Sequence, residues 1–153
     1  MPNACSHIGL CVTDLARSQH FYEEVFGFRA AFDFSTDGAE TSQLLRLAAP
    51  LTLHAVYLHL DGLLLELLAF DRTAANADRI MNEPGLTHLS LFVDDLDAVV
   101  DAVPKLGGRV RDDTNIGVAV FVEDPDGQAI EVIGPGGHFR ALRQRSLDAL
   151  AGG

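Results

Sequence analysis

Hydrophobic residues in the first 70 positions follow a spacing that predicts several short strands and one longer helix. A strand is predicted over 5–12, where Ile8, Leu10 and Val12 alternate with other residues as is typical of a strand with one buried face. Residues 14–26 then change to a helical spacing, with Thr13 or Asp14 as the predicted N-cap and Gly27 as the stop. Three more strands, predicted at 28–34, 51–60 and 63–70, complete a β-α-β-β-β order. A short helical turn is predicted at 40–47, and Asp61-Gly62 forms a hairpin turn between the last two strands.

The same order of elements is predicted a second time from residue 88. Residues 88–93 have the pattern of a strand, and residues 95–106 carry a helical stripe that Pro104 weakens near its end. Three further strands are predicted, over 109–111, 118–122 and 128–133. The sequence therefore predicts an α+β fold made of two βαβββ modules.

The boundaries of these modules follow from changes in composition. The modules are predicted at residues 1–70 and 88–135, and a polar connector with Pro and Gly near its end occupies 71–87. Residues 136–153 have an amphipathic pattern, which predicts a short helix that docks on the body of the protein or on a second subunit.

Individual residues repeat between the modules as well. The stretch that begins at His7 recurs 81 positions later, at His88, with the same spacing of apolar and acidic residues. Each module also closes with an Asp-Gly turn and an apolar strand that holds one carboxylate, Glu66 or Glu131. Two histidines and two glutamates therefore occupy equivalent places in a duplicated unit.

This duplication predicts a metal site. An ionised carboxylate framed by Leu, Ile and Val costs several kcal/mol unless it has a partner. If the modules pair about a pseudo-twofold axis, four side chains converge: His7, Glu66, His88 and Glu131. Two imidazoles and two carboxylates without a thiolate suit one divalent ion, which would be Zn, Ni, Co, Mn or Fe(II). The alternative is that each is an ordinary core or surface side chain, but their matched positions favour the metal site. The other histidines have no repeat partner and receive no role: His20, His54, His59 and His138.

Charge and composition exclude several classes of function. The formal net charge of −11 argues against nucleic acid or an anionic membrane as the main partner, because phosphate binding requires clustered Lys and Arg. No apolar run approaches the length of a membrane span, and the first residues lack a signal-peptide pattern, so a cytoplasmic protein is expected. Cys5 and Cys11 are expected to be buried free thiols.

These motifs resemble the vicinal oxygen chelate superfamily, which includes glyoxalase I, methylmalonyl-CoA epimerase, extradiol dioxygenases and fosfomycin-resistance enzymes. The resemblance extends over about residues 5–134 and is carried by short segments of both modules: His7 to Leu15, Phe21 to Phe28, Leu65-Glu66-Leu67, Gly85 to Leu96 and Phe121 to Glu131. It implies two paired βαβββ modules that form an open, cup-shaped mixed sheet around a metal, with ligands at His7, Glu66, His88 and Glu131.

The resemblance also favours one branch of the superfamily. Extradiol dioxygenases have no ligand at the place of Glu66, so this residue favours the lyases and isomerases, of which glyoxalase I and the epimerase are examples. The likeness to the epimerase is weakened at Gln43, where that enzyme places a second carboxylate base. The implied reaction removes and returns a proton next to a metal-chelated carbonyl of a hemithioacetal or thioester-like substrate. Glu131 is the expected base, with Glu66 as a ligand or second base.

Two other functions stay open at this point: an Fe(II) extradiol-type dioxygenase, and a small-molecule binding or resistance protein without turnover. The expected partners are a small-molecule substrate and a second copy of the chain in a homodimer. The cup can be closed within one chain or by exchange of modules between two chains. Four arginines are candidates for an anionic substrate group: Arg29, Arg46, Arg109 and Arg111.

Overall fold

The structure is a computed structural model that describes residues 3–74, 80–136 and 138–151. These residues form eight strands and four α-helices, arranged in two four-stranded mixed sheets. The chain divides into two compact units, Met1–Ile80 and Met81–Gly153. The α+β class and the two β-α-β-β-β modules predicted from the sequence are confirmed.

The first unit contains six elements: β1 (Ile8–Cys11), α1 (Leu15–Phe26), β2 (Arg29–Thr36), α2 (Ala39–Leu45), β3 (Leu53–Leu60) and β4 (Leu63–Phe70). Its strand order is β1-β4-β3-β2, with β1 parallel to β4 and the other pairs antiparallel. The predicted strand over 5–12 was too long, because β1 begins only at Ile8. The expectation of buried thiols was also wrong, since Cys5 and Cys11 are both exposed.

Local sequence signals set the ends of α1 and its buried face. The Asp14 side chain accepts a hydrogen bond from the Arg17 N–H, and Gly27 ends the helix in the left-handed region, at φ 75°. The buried side chains include Phe21 and Tyr22. These rings pack against the apolar face of the sheet, and the opposite face of the sheet carries His7 and Glu66.

The turn between β3 and β4 fixes the register of their pairing. Asp61 and Gly62 both have positive φ, 46° and 81°, as a two-residue type I′ turn requires. The residues on either side of the turn, Leu60 and Leu63, are therefore register partners, and the pairing continues without interruption to Leu53 and Phe70.

A bulge alters the other side of β3. Ala30 pairs with Leu58, but the next residue of β3, Tyr57, pairs with Phe32, so Ala31 is an extra residue in β2. Beyond this bulge Phe32 lies on the same face as Tyr57, against which its ring stacks.

The second unit contains β5 (Leu89–Phe92), α3 (Leu96–Ala102), β6 (Arg109–Arg111), β7 (Ala119–Glu123), β8 (Ala129–Ile133) and α4 (Phe139–Ala151). Its strand order, β5-β8-β7-β6, repeats that of the first unit. The single helix predicted over 95–106 was too long. The α-helix ends at Ala102, and Pro104–Leu106 forms a 3-10 turn, because Pro104 has no N–H to continue the helical hydrogen bonds.

The predicted helix of the tail corresponds to α4, which docks on its own unit. Arg140 Nη2 donates to the Val93 carbonyl at 2.6 Å, and its guanidinium lies 5.0 Å from the centre of the Phe92 ring. The predicted connector at 71–87 lies partly outside the described residues. In the part of the chain that the structure describes, no helix has both the length and the apolar character needed to cross a membrane.

A buried carboxylate binds two arginines at the edge of the second sheet. The Glu123 side chain is 8% exposed and accepts hydrogen bonds from Arg109 Nε at 2.6 Å and from Arg111 Nε at 2.7 Å. The hydrogen bond from Arg109, with further contributions from Arg111, lowers the pKa of Glu123 although burial opposes the shift. Two of the arginines considered for an anionic substrate group are therefore already paired within the protein.

We predict that Glu123→Gln destabilises the protein by about 2 kcal/mol at pH 7, because hydrogen bonds to an ionised group are replaced by weaker ones. The folded-state pKa of Glu123 is lower than its unfolded value, so its contribution is present above the unfolded pKa and is lost as the pH falls through the folded pKa. Urea unfolding at a series of pH values should show the two proteins converging in acid. Glu24→Gln on the exposed surface of α1 is the matched control, and a pH-independent difference for Glu123→Gln would contradict the assignment.

Candidate metal centre

The centre of the first sheet brings together a histidine and a buried glutamate. In the sheet register Gly9 of β1 and Tyr57 of β3 lie on either side of Glu66 in β4. His7 lies just before β1, two residues from Gly9 and on the same face as Glu66. As a result, His7 Nε2 is 3.1 Å from Glu66 Oε2.

Two neighbours orient the His7 ring. Ser6 Oγ lies 3.0 Å from Nδ1, which leaves Nε2 directed at Glu66. The ring of Tyr57 meets the imidazole edge to face, with centroids 5.2 Å apart and planes at 85°. The imidazole is therefore held at its Nδ1 atom and at its ring, with Nε2 directed at a carboxylate oxygen.

Tyr57 also bonds to Glu66, whose side chain is only 9% exposed. Burial, together with the hydrogen bond and the negative charge of Glu66, raises the pKa of Tyr57 to about 12. The phenol is protonated at neutral pH and donates its hydrogen bond to the carboxylate.

The second unit repeats the arrangement with different supporting residues. His88 Nε2 lies 3.8 Å from Glu131 Oε2, and Thr87 Oγ1 lies 2.9 Å from His88 Nδ1. The Phe121 ring takes the place of Tyr57, again with centroids 5.2 Å apart from the imidazole and planes at 81°. The hydroxyl group comes from the other side, because Ser90 Oγ donates to Glu131 Oε2 at 2.7 Å.

Sequence reasoning missed Tyr57 and Ser90. Tyr57 was accessible from the sequence, since a two-residue turn at Asp61-Gly62 pairs residues at equal distances from the turn and so places Tyr57 opposite Glu66. Ser90 lacked such a signal, because its place beside Glu131 depends on the parallel pairing of β5 with β8, which no turn in the sequence specifies.

The donors in each unit suit a divalent cation. Two ligands bonded to one ion at about 2.1 Å and at right angles lie about 3 Å apart, which matches the His7–Glu66 distance of 3.1 Å. The same two atom types lie farther apart in the second unit, where His88 Nε2 is 3.8 Å from Glu131 Oε2. Within each unit, the described residues hold no third His, Cys, Asp or Glu close enough to form a complete metal-binding group with the pair. Each unit therefore presents one nitrogen and one oxygen donor.

Comparison with known proteins gives a family and a fold. Residues 4–132 match the family model described as the Glyoxalase/Bleomycin resistance protein/Dioxygenase superfamily. No curated protein is similar enough in sequence to count as a match.

Several solved structures resemble this one. A glyoxalase family protein from Bacillus cereus has a TM-score of 0.73 at 16% identity, over 87% of this chain and 94% of that one. The trypanothione-dependent glyoxalase I of Leishmania major has a TM-score of 0.64 at 22% identity, over 95% and 93%. The fosfomycin resistance protein FosX from Mesorhizobium loti has a TM-score of 0.62 at 21% identity, over 93% and 99%. At these identities the likeness concerns the fold.

The contact between Tyr57 and Glu66 predicts an abnormal tyrosine titration. The chain has no tryptophan, so absorbance at 295 nm reports tyrosinate directly, and the difference between the wild type and Tyr57→Phe isolates Tyr57. We expect this group to titrate at about pH 12 in the metal-free protein. In Glu66→Gln it should titrate lower, because the carboxylate charge is gone while burial persists. Circular dichroism at each pH serves as the control for folding, and an unchanged titration in Glu66→Gln would contradict the contact.

Proposed function

The chain belongs to the Glyoxalase/Bleomycin resistance protein/Dioxygenase superfamily, and we propose that it is a divalent-metal-dependent lyase or isomerase of the glyoxalase I type. The observation that carries this proposal is the duplicated pair of donors. His7 with Glu66 and His88 with Glu131 share the same atom types, the same place in the sheet and the same support at Nδ1. We propose these four residues as the ligands of one divalent ion, with one pair from each unit.

The ion would be Zn, Ni, Co, Mn or Fe(II), because imidazole nitrogen and carboxylate oxygen without thiolate suit borderline and hard cations. We also propose that the chain forms a homodimer and acts in the cytoplasm. The substrate class is a hemithioacetal or a thioester-like compound with an acidic C–H next to a carbonyl.

The surroundings of the two glutamates support different roles for them. Glu66 is buried and contacts both His7 and Tyr57, which suits a permanent ligand. The Glu131 side chain is 24% exposed and lies farther from its histidine, so it has more freedom to move. We therefore propose Glu131 as the general base and Glu66 as a ligand or second base.

In the proposed reaction, Glu131 takes the proton from the carbon next to the carbonyl and returns it to the same or the neighbouring carbon. The electron pair of the broken C–H bond moves towards the carbonyl oxygen, and no external oxidant or reductant is needed. When bound, the divalent ion supplies Lewis acidity that stabilises this negative charge. Ser90 holds the Glu131 carboxylate by one hydrogen bond, which leaves its second oxygen available to the proton.

Two other functions make different predictions. Ring cleavage by an Fe(II) dioxygenase requires oxygen consumption with a catechol, whereas proton transfer consumes none. A resistance or binding protein without turnover would bind its ligand equally well with and without chelator. Glu66 favours the lyase or isomerase over these two functions, because it supplies a carboxylate donor in the first unit that matches Glu131 in the second.

We predict that His88→Ala loses the metal. Removal of the imidazole leaves the second unit with one donor, so metal retained after dialysis should fall to background by elemental analysis. His54→Ala is the matched control, because His54 is exposed and shares a hydrogen bond with the Ser35 hydroxyl rather than with a glutamate. Unchanged metal content in His88→Ala would refute the ligand assignment.

We predict that Glu131→Gln lowers kcat by about 10²- to 10⁴-fold with the fold intact, because an amide cannot accept the proton. Turnover would be measured with the hemithioacetal of methylglyoxal and with an acyl-CoA epimer pair, on protein whose circular dichroism equals that of the wild type. Glu24→Gln should retain full activity. Turnover of Glu131→Gln close to that of the wild type would rule out its role as the base.

A further inference from the structure

An exposed group of aromatic rings adjoins the His7–Glu66 pair in the first unit. Phe32 stacks on Tyr57 with centroids 4.3 Å apart and planes at 13°, and Phe34 lies 6.2 Å from Tyr57. Phe32 is 54% exposed and Phe34 is 36% exposed. We call Phe32, Phe34 and Tyr57 the aromatic wall.

The aromatic wall is continuous with the proposed ligands. Tyr57 contacts the His7 ring with its own ring and bonds to Glu66 with its hydroxyl, while Phe32 covers another part of the same tyrosine. Neighbouring strands in a sheet lie about 4.8 Å apart, so Phe32 in β2 lies about 10 Å from Glu66 in β4. A small molecule whose oxygens lie at His7 and Glu66 can therefore reach the wall with a ring attached directly or through a few atoms.

The second unit shows that the module does not require such a wall. The residue that pairs with Phe121 there is Arg111, at the place where Phe32 pairs with Tyr57 in the first unit. Arg111 is engaged by the buried carboxylate of Glu123. The aromatic wall is thus a property of the first unit. A large exposed phenylalanine in an edge strand lowers solubility, and a role in binding would explain why it is present.

We propose that the substrate carries an aromatic or otherwise planar conjugated group, which stacks on the aromatic wall while its oxygens face the His7–Glu66 pair. This inference rests on the proposed function, because it assumes that the oxygens are held at a metal. Phe32 supplies the open ring face, and Tyr57 links that face to the metal-binding pair. Phe32 is therefore a residue that determines substrate specificity.

Two metal-chelating probes that share one head group test the proposal: benzohydroxamate, with a phenyl ring, and acetohydroxamate, with a methyl group. Their affinities for the Zn²⁺-loaded protein would be measured by calorimetry. We expect benzohydroxamate to bind about 10-fold more tightly, in the range that stacking of aromatic rings supplies. Phe32→Ala should reduce this preference to about twofold or less and leave the affinity for acetohydroxamate unchanged. Leu44→Ala, which removes another exposed apolar side chain, should keep the full preference.

The outcomes separate the two proposals. Equal affinities of the two hydroxamates, or an undiminished preference in Phe32→Ala, would overturn the aromatic wall and leave the metal site standing. If neither hydroxamate binds the Zn²⁺-treated protein, the metal site fails and the wall proposal fails with it. Light scattering on Phe32→Ala tests whether the aromatic wall binds a second copy of the chain instead of a substrate. Loss of a dimer in that variant would assign the wall to a contact between copies and overturn the proposal.

Discussion

A carboxylate placed in the middle of an apolar strand must find partners, and Glu66 imposes this requirement on the first sheet. Its neighbours meet it from both sides, through the imidazole of His7 and the phenol of Tyr57. Space is needed as well. A Cβ at Gly9 would lie 3.1 Å from Leu68 Cδ1, which is closer than an ordinary contact, so glycine avoids a tight contact on the strand beside Glu66. One buried acid thus accounts for the placement of the histidine before β1 and of the tyrosine in β3.

The two units satisfy the same requirement in different ways. In the first unit, the hydroxyl group that bonds to Glu66 belongs to Tyr57 of β3, and the residue beside Glu66 on β1 is Gly9. In the second unit, the hydroxyl group that bonds to Glu131 belongs to Ser90 of β5, and the aromatic residue on β7 is Phe121. Glu66 is consequently more enclosed than Glu131. A duplication that began with identical halves can in this way provide one rigid acid and one more accessible acid.

Much of this fold could be predicted from the sequence, because its strands are short, alternate clearly and end at glycine turns. The repeat singled out His7, Glu66, His88 and Glu131, and within each unit the histidine lies beside the glutamate. That all four bind one ion stays a prediction, whereas the resemblance to the superfamily is confirmed by the match over residues 4–132. The partners of Glu131 and Glu123 depend on which strands are adjacent, and a single sequence does not contain that information.

The bulge at Ala31 has a consequence for how relatives of this chain are aligned. In a regular ladder Ala31 would pair with Tyr57 and Phe32 with Val56, which would turn Phe32 and Phe34 towards α1. The bulge accommodates Ala31 as an extra residue, so both rings stay on the face that carries Tyr57. A relative that lacks Ala31 would pair its counterpart of Phe32 with Tyr57 directly, so deletion of this one residue leaves the aromatic face unchanged. An alignment that places its gap elsewhere in β2 would therefore match the rings with residues of the opposite face.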